Sequence, residues 1–368
     1  GMLVPCAVVG AVLPGEFTIK AAKLRGVESF GMLCSARELG LSEDHGGLLE
    51  LPADFVVGQD IRSALALDDI RYTIKLTPNR ADCLSLAGIA REVAALTGET
   101  LALPAIEPVA ATIPARRAIV LDAPQACPRY CGRVISGVDA RAPTPEWMKQ
   151  RLQHSGVRAI SALVDITNYV MLELGQPLHA FDNARLSGAI HVRYPRAGET
   201  VLLLNEQTVT PAADTLLIAD ESRALALAGI MGGEDSGITL DTAEVFLESA
   251  FFAPAAIAGR ARSYGFSSDA SHRFERGVDF ALARLAIERA TALILQVCGG
   301  QAGAVEEAVS PQHLPVRAEV RLRPARVRRL LGIDIDDEAI AALLSSVHLA
   351  VRREGDELRV TPPSARFD

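Results

Sequence analysis

Two proline-marked breaks decide how this chain can be organised. Pro104, Pro108 and Pro114 interrupt it once, and Pro311 to Pro315 interrupt it again. Proline fixes φ and removes a backbone donor, so both stretches read as linkers between separately folded parts. The 368 residues agree with this, since roughly 150 residues per domain gives about two to three domains. Apolar residues make up 49% of the chain and charged ones 22%. That is ordinary for globular domains with sizeable cores and rules out intrinsic disorder or a collagen-like repeat.

The pattern between the breaks points to an α+β, multidomain protein. Residues 2–68 are rich in valine, glycine and short apolar alternations, with Pro14-Gly15 and Gly46-Gly47 as turns, and read as a small β unit that starts abruptly, as though earlier strands were missing. In residues 69–104, Pro78-Asn79-Arg80 leads into a helix expected from about Asp82 to Thr97. Its apolar stripe is Leu86, Ile89, Ala90, Val93 and Leu96, and Gly98 is its stop. The largest block, 119–303, mixes helices and strands. Thr144 is expected to cap a helix with Pro145 in its first position and Gly156 at its end. Strands are expected at Ile190–Tyr194, Val201–Leu204, Thr215–Ala219, Ala224–Ala228 and Val245–Leu247. A long helix from Asp279 to Cys298 would bury Leu282, Leu285, Ala286, Leu293 and Val297, with Arg289 spoiling that face. The last unit, 316–368, reads as a strand, two short helices broken at Gly332 and a strand pair.

Composition narrows the function classes. The net charge of −8 argues against a protein wholly devoted to coating nucleic acid, although a local basic patch stays open. The 33 arginines against four lysines fit a genome-composition bias as well as phosphate recognition. The longest uncharged apolar stretch, Ala224 to Gly233, is short of the ~20 residues of a membrane span. With no signal peptide at its start, the chain is expected to be soluble and cytoplasmic. Six scattered cysteines without C-x-x-C spacing read as buried free thiols in a reducing compartment rather than a zinc site. Nucleotide-binding loops, nucleophile elbows and zinc-protease motifs are absent from the sequence.

Several positions could carry chemistry, each with a plainer alternative. Gly229-Ile230-Met231-Gly232-Gly233 is a tight turn where backbone approaches something closely, a ligand or another side chain. His179, beside Pro177 and between apolar residues, is catalytic or a structural histidine. Glu248 sits in Leu247-Glu248-Ser249-Ala250-Phe251-Phe252 and must be paired or hydrogen-bonded if buried. The polar run from Ser267 to Gly277, with His272 in it, is a site or a cluster of caps and ion pairs. Thr167 and Asn168 could donate to a ligand or cap a helix, and Arg321 to Arg329 are a solvated face or an RNA contact.

Longer strings are more specific. Gly10-Ala11-Val12-Leu13-Pro14-Gly15, Thr77-Pro78-Asn79-Arg80-Ala81-Asp82-Cys83-Leu84-Ser85, Asp165–Tyr169, Gly175–Asp182, Gly232–Gly237, Leu247–Phe252 and Asp269–Asp279 occur in one order. Together they resemble the β subunit of bacterial phenylalanine–tRNA ligase, essentially end to end. The resemblance implies a truncated piece of that subunit. Its parts would be the later portion of an OB-type tRNA-binding module, a helical segment, an editing domain that hydrolyses mischarged Tyr-tRNA(Phe), and the start of a winged-helix-like module. It also implies an α2β2 assembly in which the α subunit carries phenylalanine activation with ATP. Asp368 would begin an acidic Mg2+-binding cluster that this chain does not complete. Editing has a physical rationale, because a pocket shaped for phenylalanine cannot strongly reject an isostere with one added hydroxyl.

By the same resemblance, Glu248 would accept the phenolic hydroxyl and His179 would position the terminal adenosine or the attacking water. Thr167, Asn168, Ser268 and Arg158 would bond the substrate or shape the pocket, and Gly232 and Ala270 would leave room for the ring. Ser268 stands where the family commonly has threonine, which keeps the hydroxyl and loses a methyl. The competing expectations are a free-standing deacylase acting in trans and a non-enzymatic tRNA-binding scaffold.

Overall fold

The computed structural model describes residues 1–368 except 42–44, 54, 66 and 368. The chain divides into two compact units, Gly1–Ile74 and Lys75–Asp368. The first is the small β unit the alternations indicated. Cys6–Val8 pairs with Gly31–Leu33, Val12–Leu13 with Phe17–Thr18, and Ala22–Leu24 with Val27–Ser29, all antiparallel. Ala7, Ile19 and Cys34 form its modest core.

The second unit has three layers in its centre. A four-stranded antiparallel sheet runs in the order Gln301–Val309, Arg129–Ser136, Glu244–Phe251, Leu178–Asp182. Because successive side chains of a strand point to opposite faces, its strands Arg129–Ser136, Glu244–Phe251 and Leu178–Asp182 each feed two cores. Val245 and Leu247, with Cys131 and Ile135, pack against the helices Glu146–His154, Ala162–Leu174 and Ala283–Cys298. Phe246 and Ala250, with Tyr130 and Val134, face a second core shared with Ile190, Val192 and Leu217. Those last residues belong to a five-stranded sheet ordered Met231–Gly232, Ala224–Leu227, Leu217–Ala219, Ile190–Arg193, Ile119–Leu121. Only its last pairing is parallel among the described strands. No helix among the described residues is long and apolar enough to cross a membrane.

Several sequence expectations shift. The helix expected from Asp82 begins at Leu86, with Ser85 accepting from the Gly88 amide as N-cap and Gly98 closing it in the left-handed region. Asp82 instead lies in a separate single turn, Ala81–Cys83. Thr144 does not cap its helix, because its hydroxyl donates to the buried Asp165 carboxylate, leaving Pro145 at the N-cap. The long helix starts at Ala283, and its buried face includes Glu288 while Leu285 is exposed. Ion pairs explain the difference: Glu288 accepts from the buried Arg133 at 2.8 Å, and Arg289 pairs with Glu173 at 2.7 Å. The stretch of Pro104 to Pro114 is no free tether. Val109 donates to Glu288 and accepts from Arg133, and the Thr112 amide donates to Ala302.

The last unit follows its expected order: Val320–Leu322, helices Pro324–Leu331 and Asp337–Ser346 around Gly332, then Ala350–Glu354 paired with Glu357–Thr361. Two arginines of its basic run are already paired, Arg321 with Glu357 and Arg328 with Asp337. Five of the six cysteines are buried and all are free thiols.

Candidate functional site

Register within the four-stranded sheet builds the site. Glu248 lies directly opposite His179 on one neighbouring strand and Gly132 on the other. Its side chain therefore projects with Phe246 and Ala250 toward the space between the two sheets. There it borders a cavity of about 200 Å3, enough for an aromatic ring, lined by His179, Gly232, Glu248, Ser268, Ala270 and Phe274 among others. Five residues singled out in the sequence thus meet around one space, although 91 positions separate the first from the last by number (270 − 179).

Each lining group has a distinct local cause. His179 stacks edge-on against Phe181 with ring centroids 4.4 Å apart. Its buried Nε2 has no hydrogen-bond partner, and burial pulls its pKa down to about 4, so the imidazole is neutral near pH 7. Glu248 is 7% exposed and is bonded by the Tyr130 hydroxyl at 2.7 Å. Burial pushes its carboxyl up to about 7 against the lowering effect of that bond. The glycine-rich turn proves to be a close approach, as its pattern allowed: a Cβ on Gly232 would lie 2.3 Å from His179 Cε1. Ser268 caps the Asp269–Phe274 helix through a reciprocal bond pair with Ser271, and its hydroxyl donates to the Ile230 carbonyl at 2.7 Å. It therefore ties the glycine turn to the helix, of which Ala270 is the second residue.

Three expected site residues are not brought to this cavity. Thr167 is buried in the Ala162–Leu174 helix and donates to the Val164 carbonyl at 2.7 Å. Asn168 follows it on the same helix, and Arg158 is exposed in the preceding loop; neither lines the cavity. The reason is the layer order, since that helix packs on the core of Leu163, Ile166 and Val170, across the sheet from Phe246 and Ala250. The polar run divides: Ser268 and Ala270 line the cavity, while Arg276 donates to His272, and Arg273 pairs with Asp269 and bonds the Leu84 carbonyl. Asp368 lies outside the described residues.

Tyr130 and Gly132 were not singled out from sequence. Their strand, Arg129–Ser136, interrupts its apolar run with a buried Arg133 and so hides its alternation. No local signal marks them, because their relation to Glu248 comes from strand register.

Three protein-family models match successive stretches of the chain. Residues 126–299 match the B3/4 domain, 320–368 the tRNA synthetase B5 domain, and 6–60 a putative tRNA binding domain. Over all 368 residues the chain is 78% identical to the phenylalanine–tRNA ligase β subunit of Aromatoleum aromaticum and 66% identical to that of Dechloromonas aromatica. It covers 46% of each of these relatives, about half their length. A crystal structure of an N-terminal fragment of the Pyrococcus horikoshii phenylalanyl-tRNA synthetase β subunit overlays with a TM-score of 0.38 and 18% identity, over 79% of this chain and 80% of that one.

Proposed function

We propose, for a chain that belongs to the phenylalanine–tRNA ligase β subunit family along its full length, that the cavity between its two sheets hydrolyses Tyr-tRNA(Phe). The observation that carries this reading is a buried carboxylate, Glu248, facing a ring-sized cavity beside a neutral histidine. A tyrosine side chain entering that space brings the one donor the carboxylate lacks. Phenylalanine would desolvate the carboxylate and leave its cavity-facing oxygen unpaired, which is the stronger half of the discrimination.

His179 suits the ester end. A neutral imidazole with an unpartnered Nε2 can hold the attacking water or a ribose hydroxyl without adding charge. Gly232 and Ala270 keep side-chain bulk out of the ring's path, and Ser268 holds the turn that carries Gly232. Hydrolysis then rests chiefly on positioning water against the ester carbonyl.

The other parts follow the same reading. Residues 2–68 serve as an OB-type tRNA-binding module, 69–104 as a connecting segment, 119–303 as the editing domain and 316–368 as part of a winged-helix-like module. The α subunit is the partner, in an α2β2 assembly acting on tRNA(Phe) in the cytoplasm. Phenylalanine activation with ATP lies on that partner, and Mg2+ belongs to the complete subunit. Among the described residues one group has the makings of a metal site, Asp82, Cys83 and Glu92. It does not fit a divalent cation, because Arg80 and Arg366 already pair with both carboxylates and burial pushes the Cys83 thiol up to about 11.

The test is deacylation of Tyr-tRNA(Phe) and Phe-tRNA(Phe) by the assembled enzyme carrying Glu248→Ala. Tyr-tRNA hydrolysis should fall by one to two orders of magnitude, roughly the worth of a bond to a charged acceptor, while Phe-tRNA hydrolysis holds or rises. Equal slowing of both substrates would refute the assignment.

A further inference from the structure

The site contains a second phenol that no substrate brings. Tyr130 is fully buried and does not line the cavity, yet its hydroxyl donates to Glu248 Oε2 at 2.7 Å. The strand register shows how it reaches. Tyr130 lies opposite Ala250, so it is the diagonal neighbour of Glu248 on the same face. The position directly opposite Glu248 is Gly132, where a Cβ would meet the Phe246 ring at 2.3 Å. The missing side chain there makes room for the Phe246 ring, which lies on the same face as Tyr130 and Glu248.

We propose that Tyr130 is a positioning residue for tyrosine selection: it holds Oε2 from behind, so that Oε1 faces the cavity as the acceptor for the substrate hydroxyl. This rests on the reading of Glu248 as the tyrosine-selecting group. A carboxylate carries two oxygens and rotates freely about its last torsion unless one oxygen is fixed. Without the Tyr130 bond, Glu248 keeps its charge less readily and presents either oxygen to the cavity.

The groups facing Glu248 make the idea testable by pH. From its partner strand come Tyr130 and, just before that strand, Cys127, both pushed well above their ordinary values by burial. From the other neighbour comes His179, neutral above about 4, and from the short helix comes Ser268, which does not titrate. Glu248, at about 7, is therefore the group of this set that changes charge between pH 5.5 and 8.5. The bond from Tyr130 lowers that value, so its removal moves the titration upward.

The experiment uses the assembled enzyme with Tyr130→Phe, which keeps the ring and its packing. The ratio of kcat/KM for Tyr-tRNA(Phe) over Phe-tRNA(Phe) is measured from pH 5.5 to 8.5, beside Glu248→Gln and wild type. In wild type the ratio should rise with pH through a midpoint near 7. In Tyr130→Phe the midpoint should move up by about one pH unit, and the ratio at pH 7 should fall roughly fivefold, with Phe-tRNA hydrolysis unchanged. An unshifted midpoint, or equal slowing of both substrates, overturns the role of Tyr130. Glu248→Gln separates the two levels: if it abolishes selection while Tyr130→Phe does nothing, only the Tyr130 proposal fails. If Glu248→Gln leaves selection intact, the parent reading fails with it.

Discussion

Adding a single methyl at Gly232 is the sharpest steric probe of the cavity. A Cβ there would lie 2.3 Å from His179 Cε1, 2.6 Å from its Nε2 and 3.2 Å from Leu204 Cδ1. The Gly232 backbone cannot retreat, because it pairs with Ala226 in the sheet and its carbonyl accepts from the Leu204 amide at 3.1 Å. The imidazole must yield instead, and it is held edge-on by Phe181. Overpacking of this kind costs about 1–3 kcal/mol. Gly232→Ala should therefore lower the melting temperature by a few degrees and, with His179 acting at the ester as proposed, slow hydrolysis of both Tyr-tRNA and Phe-tRNA. The double variant Gly232→Ala/His179→Ala isolates the cause. If the methyl meets the imidazole, its stability cost should largely vanish once the ring is gone, giving a coupling energy of about 1 kcal/mol or more. An undiminished cost in the His179→Ala background would refute the steric argument.

Three further outcomes follow from buried charge. Arg133→Ala leaves Glu288, now 5% exposed at its side chain, with only the half-exposed Arg284 and the Val109 amide as partners; a loss of about 3 kcal/mol in urea unfolding is expected, and Arg133→Met with Glu288→Leu should recover most of it. His179 is held below its unfolded value of 6.5, so folding loses stability as pH falls from 6.5 toward 4; His179→Gln should flatten that limb of a stability–pH curve. Glu248 is held above its unfolded value of 4.5, so its contribution is full below 4.5 and is lost as pH rises to about 7; Glu248→Gln should remove that loss, and an unchanged curve would show the carboxyl to be solvated.

What could be read in advance was whatever depends on nearby residues. Turn and cap chemistry located the Leu86–Thr97 helix to within a few residues at its start and marked its stop at Gly98. Strand runs such as Ala224–Leu227 announced themselves by continuous apolar sequence. The misreadings share one cause, polar side chains whose partners are distant in sequence. Glu288 occupies a buried helix face where Arg133, 155 positions away, pairs with it alongside the local Arg284. Thr144 gives up its capping role to Asp165, 21 positions on. Periodicity sees apolarity and cannot see pairing.

The site shows the same division. His179, Glu248, Ser268, Gly232 and Ala270 were legible because their motifs are local words, and the fold then folds those words onto one cavity. Tyr130 was not legible, because its importance comes from strand register alone. Thr167 and Asn168 belong to a legible word too, yet layer order carries their helix to the other core. Burial in the shared cavity has one chemical consequence for the groups it does gather. It drives both titratable residues toward neutrality, the imidazole completely and the carboxyl only partway, because Tyr130 opposes the shift there. The space between the sheets therefore holds at most one charge near pH 7, and that charge sits on the group placed to meet a phenol. On the proposed reading, a ligand without a hydroxyl would meet the cost of burying that charge with nothing in return, so the desolvation that sets the carboxyl's titration would also disfavour phenylalanine.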